Sequence, residues 1–111
     1  MMFFKVSEQF TKSPGGRLRE NGDHSGEELR DDYIIPLLDG NPDEKLVIDF
    51  NGIYGISSST MDEIFYGLVM KKGKEINDRI EIVSSNSIIR DMAISSMNDA
   101  IKDDRNKGVI K

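Results

Sequence analysis

The chain has 111 residues, a formal net charge of −5 at pH 7, one histidine and no cysteine. This length supports a single domain over residues 1–111, while the residue counts exclude disulfides and thiolate chemistry and argue against a transition-metal site. The acidic charge disfavours nucleic acid as a partner. The absence of cysteine fits a reducing setting, so we expect a cytoplasmic protein. No apolar run approaches the ~20 residues of a membrane span, so we expect no membrane contact.

The chain opens with a predicted strand. Met2–Val6 is short and apolar, and Ser13–Arg17 (SPGGR) marks a turn through its proline and glycines. We expect a second, short strand around Arg17–Glu20. The segment between these two strands is too short for a crossover, so we predict that they pair antiparallel.

A first amphipathic helix is predicted after the turn at Asn21-Gly22. Ser25 with Glu28 three residues later forms a capping-box pattern. Pro36 interrupts the helical pattern and predicts a kink or an early stop. The apolar stripe at helical spacing comprises Leu29, Tyr33, Ile34, Leu37 and Leu38.

The second half alternates strands and helices. Leu46–Phe50 is apolar apart from Asp49, as in a central strand, and Arg79–Ser84 predicts the next one. Ser85–Ser87 is expected to cap the last helix, and Gly73 to end the helix before it. The stripe of the earlier helix comprises Met61, Ile64, Phe65, Leu68 and Val69; that of the last helix comprises Ile89, Met92, Ala93, Ser96, Met97 and Ala100.

Beyond Asp103 the chain turns polar. For residues 104–111 we expect a frayed tail, in which Val109-Ile110 either adds a short edge contact or frays with the rest.

This order predicts an α/β sandwich. We expect a small mixed sheet, with antiparallel first strands and parallel later strands, and about three helices. In open sheets of this kind, functional loops lie at the carboxyl ends of strands. The loop Ile53–Ser59 takes that position.

Four consecutive hydroxyl residues, Ser57–Thr60, precede the middle helix. Capping explains one or two of them, with Ser59 as N-cap and Asp62 at N3, or Thr60 with Glu63. A phospho-acceptor and a phosphate cradle on the exposed amides remain open alternatives, although the two carboxylates would repel a bound phosphate.

The sequence gives weaker support for other kinds of functional site. A catalytic serine is rejected because no nucleophile elbow is present and His24 lies far upstream, so we expect no enzyme. Asp49 is interpreted as a structural side chain that accepts hydrogen bonds from loop amides. Ser13–Arg17 is interpreted as a turn, with phosphate binding as the alternative because Arg17 and Arg19 follow its glycines.

The segment VIDFNGIYGISSSTMDEIF resembles the signature region of STAS domains. It is closer to a STAS-like family of unknown function, which carries a Ser-hydrophobe-x-Asp-Glu-x-Phe-Gly pattern. In this chain the pattern reads Ser59-Thr60-Met61-Asp62-Glu63-Ile64-Phe65, with Gly67 one place late. The upstream PGGRLRENGDHSGEELRDDYIIPLL also resembles that family, so the likeness spans roughly Phe10–Leu68.

The resemblance implies a switch or docking module. In the STAS antagonists a partner kinase of the histidine-kinase ATPase type phosphorylates a serine at the helix start, and the phosphate blocks binding. Carried over, the acceptor is Ser58, with Ser59 beside it. The chain departs from that pattern at Ser57, where the antagonists have aspartate, and at Thr60, where they have glycine.

The leading hypothesis is therefore a non-enzymatic, cytosolic regulatory module that docks a protein partner, with an ATPase or kinase as the candidate. The alternative is a sensor of a nucleotide or phosphate at the same helix start, over which Arg17 or Arg19 would fold. We expect no bound cofactor. The predicted contact residues are Ile56, Ser57, Ser58, Ser59, Thr60, Asp62, Glu63, Arg17 and Arg19, and the candidate phospho-acceptors among them are Ser58 and Ser59.

Overall fold

The computed structural model describes residues 1–109, with side chains through residue 104. Among these residues three short strands form one sheet: β1 (Met2–Lys5), β2 (Leu46–Asp49) and β3 (Ile80–Val83). Their order in the sheet is β1-β2-β3. Both pairings are parallel, and β2 is central.

The predicted antiparallel pairing of the first strands is wrong. Arg17–Glu20 forms no strand, and Arg19–Asn21 is a 3₁₀ turn. The strand that follows β1 in the chain is β2, which begins at Leu46. More than 40 residues separate the two starts, which is enough for a helical crossover, and a crossover makes the strands parallel.

The described residues form five α-helices where the sequence predicted about three. They are α1 (Val6–Gln9), α2 (Gly26–Glu28), α3 (Ile35–Gly40), α4 (Ser58–Lys72) and α5 (Ser87–Val109). The π-helical segment Leu29–Ile34 joins α2 and α3 into one continuous stretch, the α2–α3 rod. A 3₁₀ segment, Lys74–Arg79, links α4 to β3.

The early stop predicted at Pro36 does not occur, because the π-helical segment ends just before it. The Ile35 amide bonds the Arg30 carbonyl five residues back, and α3 starts at Ile35. Pro36 therefore lies in the first turn of a new helix, where a missing N–H costs little.

The predicted helix caps are mostly confirmed. The Ser25 hydroxyl accepts a hydrogen bond from the Glu28 amide at 3.1 Å. Gly73 ends α4, and its amide bonds the Val69 carbonyl. Asn86 caps α5 by accepting from the Ile88 amide at 2.9 Å. Each of these bonds is local in sequence, which is why the sequence pattern revealed them.

The main core cluster lies on one face of the sheet, and on the other face Val47 of the central strand is also buried. Phe4, Ile48 and Ile82 are in register on that face and join the main core cluster. On the opposite face Phe3 is 70% exposed, whereas its neighbour Phe4 is 3% exposed. Every predicted stripe residue of α4 is buried, and of the α5 stripe only Met92 is half-buried.

The predictions for the tail concern residues at the end of the described chain. Helix α5 is described as far as Val109, and the predicted edge contact or fraying at Ile110 lies outside the described residues. Within the described part, no helix combines the length and apolarity needed to cross a membrane.

A pair of matched substitutions tests the one-sided core. We expect Phe4→Ala to cost about 3–5 kcal/mol of unfolding free energy, because it leaves a cavity in the core. Phe3→Ala should change it by less than about 0.5 kcal/mol, because its ring is already in water. Urea denaturation measures both. Equal losses for the two variants would contradict a main core cluster on one face only.

Candidate functional site

The helix that follows the central strand begins with the hydroxyl cluster. Ser57 is the N-cap: its backbone is extended, with φ −76° and ψ 156°, and its Oγ accepts from the Thr60 amide at 3.2 Å. The predicted caps, Ser59 or Thr60, are therefore wrong by two or three residues. Because four neighbouring hydroxyl residues could each cap the helix, the sequence leaves the N-cap ambiguous. The extended backbone at Ser57 identifies that residue as the N-cap.

Thr60 is a structural residue. It is fully buried, and its Oγ1 donates to the Gly15 carbonyl at 2.9 Å and accepts from Ser57 Oγ at 2.9 Å. The Gly15 amide in turn bonds the His24 carbonyl at 2.8 Å. The loop Ser13–Arg17 is thus fixed against the start of α4, and the Thr60 hydroxyl is not available to a partner.

The remaining hydroxyls face solvent. Ser57, Ser58 and Ser59 are exposed, and Ile56 before them is half-buried. Ser58 and Ser59 are the first two residues of α4. The structure therefore presents three serines on the first turn of a helix that leaves the carboxyl end of the central strand.

Glu63, one turn further along α4, binds two arginines. Its Oε1 accepts from Arg17 Nε at 2.7 Å, and its backbone carbonyl accepts from Arg30 Nη1 at 2.6 Å. The same Nη1 also bonds Glu63 Oε2. Arg30 additionally donates from Nε to Asp31 Oδ1 at 2.8 Å.

These contacts set the ionisation of the group. Arg30 is 3% exposed; burial acts to lower its pKa, but the bonds to Asp31 and Glu63 outweigh it and raise the pKa. Burial acts to raise the pKa of Glu63, and the bonds from Arg30 and Arg17 reverse this, so the pKa is lowered. The bond from Arg30 likewise lowers the pKa of Asp31. All three groups are therefore charged near neutral pH.

Arg19 does not join the site. It makes a bidentate pair with Asp32 on the α2–α3 rod, at 2.8 and 2.7 Å. Of the two arginines predicted to fold over the helix start, only Arg17 reaches that end of α4. Asp49 accepts from the Asn51 amide at 2.8 Å, which confirms its predicted structural role.

The start of α4 separates two grooves of different charge. The larger has a volume of about 510 Å³ and is lined by Ser59 and by charged residues of both signs: Arg17, Arg30, Lys71, Asp62 and Glu63. The smaller, of about 370 Å³, runs between α4 and α5. Its polar lining comprises Ser58, Asp62, Asp91, Ser95, Ser96 and Asp99. In that groove Asp62 Oδ1 accepts from the buried Ser96 hydroxyl.

Sequence reasoning missed Arg30. It lies within the predicted helix but was assigned no role, because an arginine beside an apolar stripe usually extends to solvent. Gly67 is the signal that could have revealed it. A glycine inside a strong helix often marks a close approach, and a Cβ at Gly67 would lie 2.3 Å from Arg30 Nη1.

The fold and the helix-start site define a small α/β domain of the STAS-like type. A comparison with family models supports this: the STAS-like domain of unknown function (DUF4325) matches residues 25–90, which is more than half of the chain. The chain belongs to this family. No curated protein and no solved structure matches it. The resemblance seen in the sequence is confirmed, although the matched span begins later and ends later than Phe10–Leu68.

A glycine-to-alanine pair tests the Arg30 contact. Gly67→Ala would gain up to about 1 kcal/mol of helix propensity. We nevertheless expect it to destabilise the fold by about 1–3 kcal/mol, because Arg30 is held in place on both sides and cannot move away from the new methyl group. Gly40→Ala, with nothing within 4 Å of its Cβ position, is the control and should be neutral or stabilising. Urea denaturation measures both, and a stabilised Gly67→Ala would contradict the packing.

Proposed function

We propose that this chain is a non-enzymatic, cytosolic regulatory module that docks a protein partner through the serine-bearing start of α4. The observation that carries the proposal is the exposure of Ser57, Ser58 and Ser59 on a helix start whose backbone is already fixed. A rigid, accessible surface loses little entropy when a partner binds.

The resemblance to STAS domains supports an ATPase of the histidine-kinase type as the partner and a serine phosphate as the switch. The local charges favour one acceptor over the other. Ser59 shares its groove with Arg17 and with the carboxylates of Asp62 and Glu63, whereas every charged residue in the groove that Ser58 lines is an aspartate. A phosphate on Ser59 could pair with Arg17 in place of Glu63, and one on Ser58 would meet carboxylates alone. We therefore assign the acceptor role to Ser59 in this proposal.

The docking proposal predicts a charge-sensitive partner. Wild-type protein and a Ser58→Asp, Ser59→Asp variant are used to capture proteins from native lysate. The variant should lose at least one partner, because two carboxylates on the first turn alter the contact surface. Lys74→Glu is the matched control: it changes the net charge equally, beyond the opposite end of α4, and should keep every partner. Identical partner sets for wild type and the serine variant would count against the serine surface.

A nucleotide or phosphate sensor is the alternative, and the groove beside Arg17 is where such a ligand would lie. A bound anion would have to displace Glu63 from Arg17, since the two are paired at 2.7 Å. Thermal shift with a nucleotide panel separates the two functions. A ligand at 100-fold its dissociation constant adds about 2.7 kcal/mol of stability, whereas the docking module should give no shift. A clear shift that is lost in Arg17→Gln would favour the sensor.

A further inference from the structure

Two large apolar side chains lie in water beside the serine surface. Tyr54 is 81% exposed and Ile88 is 70% exposed. Both line a cavity of about 330 Å³ at the carboxyl end of the sheet. Its apolar lining also includes Ile56, Ile89 and Met92, and its polar lining includes Asn51, Ser84, Ser85 and Asn86. Burial of a side chain of this size is favourable by roughly 1.5–3 kcal/mol, so this patch gains free energy if another molecule covers it.

The loop that carries Tyr54 is held in place. The Tyr54 amide bonds the Lys12 carbonyl at 2.8 Å. Asn51 accepts through its side chain from the Ser85 amide at 2.8 Å and through its carbonyl from the Ser7 hydroxyl at 3.1 Å. Tyr54 is therefore presented from an ordered backbone, and tyrosines of this kind often dominate the energy of an interface.

The cavity continues into the groove between α4 and α5, because Ile88 and Met92 line both. Asp62, Asp91 and Asp99 line this groove, and its lining contains no lysine or arginine. On α5, Ile88, Asp91 and Asp99 recur at helical spacing. The surface is therefore apolar at the Ile88 end and acidic from Asp91 to Asp99. From Ile88 to Asp99 it extends about 16 Å.

The negative charge of this region affects a neighbouring side chain. The pKa of Tyr66 is raised, first by its hydrogen bond to Asp103, then by burial and by the charges of Asp103, Asp99 and Asp62. Among these causes, the charges of Asp99 and Asp62, which line the groove, make the smallest contributions to the pKa. The same charges attract a cation brought by another molecule.

We propose that the surface formed by Tyr54, Ile88 and the α4–α5 groove binds a basic segment of the partner protein. An apolar side chain of that segment packs on the exposed Tyr54 and Ile88, and its lysines or arginines face Asp91 and Asp99. This deepens the docking function proposed above and rests on it, since it gives the chemistry of the partner at a surface that adjoins Ser58.

Synthetic peptides on the full chain test this proposal directly. The probe is an amphipathic helix of about 14 residues (~21 Å long), with leucine on one face and lysine on the other; its counterpart has glutamate in place of lysine. Fluorescence anisotropy at low salt should show saturable binding of the lysine peptide and none of the glutamate peptide. Absence of saturable binding, or equal binding of both peptides, would overturn the proposal.

Variants locate the binding surface. We expect two variants to bind the lysine peptide about tenfold or more weakly than wild type: the double variant Asp91→Asn, Asp99→Asn, and separately Ile88→Ser. The matched controls are Asp43→Asn with Asp78→Asn, which removes the same charge near the amino ends of the strands, and Ile94→Ser, which lies outside both linings. The controls should stay within about twofold of wild type. An equal loss in the controls would show that net charge, and not this groove, binds the peptide.

The outcome is separable from that of the serine experiment. A peptide that binds wild type and is lost in the aspartate pair supports the groove even if the serine variant captures every partner. A serine variant that loses its partner while the lysine peptide fails to bind supports docking and refutes a basic segment. Since the substituted side chains are exposed, circular dichroism should show unchanged folding in every variant.

Discussion

The Arg30 guanidinium lies between the α2–α3 rod and α4 with only 3% of the residue exposed. An unpaired charge in that position would be very costly. The groups that bind Arg30 therefore determine how the α2–α3 rod packs against α4. Asp31 holds it from the rod, the carboxylate and carbonyl of Glu63 hold it from α4, and Gly67 leaves the space it occupies. The π-helical segment Leu29–Ile34 supports this arrangement, because it turns Leu29, Arg30 and Ile34 inward together.

The functional surface depends on that packing. Once α4 is held against the rod, the loop Ser13–Arg17 closes over its start through the bond from Thr60 to Gly15, and Arg17 reaches Glu63. The exposed serines therefore lie between a groove lined by both cations and carboxylates and a groove whose charged residues are all acidic. The two sides of this one helix turn thus differ in charge.

The features that sequence reasoning recovered are those fixed by short-range physics. The α4 stripe from Met61 to Val69, the Ser25 cap and the Gly73 stop each depend on residues within one or two turns, and all three are present. The N-cap of α4 was misplaced because four hydroxyl residues satisfy the same local rule. The antiparallel pairing was wrong because it assumed a strand at Arg17–Glu20, where the chain instead closes against α2 through bonds such as the Glu27 amide to the Arg17 carbonyl.

The sequence by itself determined the family, the positions of β2 and β3, the buried faces of α4 and α5, and the presence of hydroxyl residues at a helix start. Hydrophobic periodicity and capping encode these features locally. The tertiary structure decided which hydroxyl is buried, which arginine reaches the site, and that the acids of α4 and α5 line one groove beside Tyr54 and Ile88. Those outcomes depend on contacts between residues more than 30 positions apart, and no local pattern records such contacts.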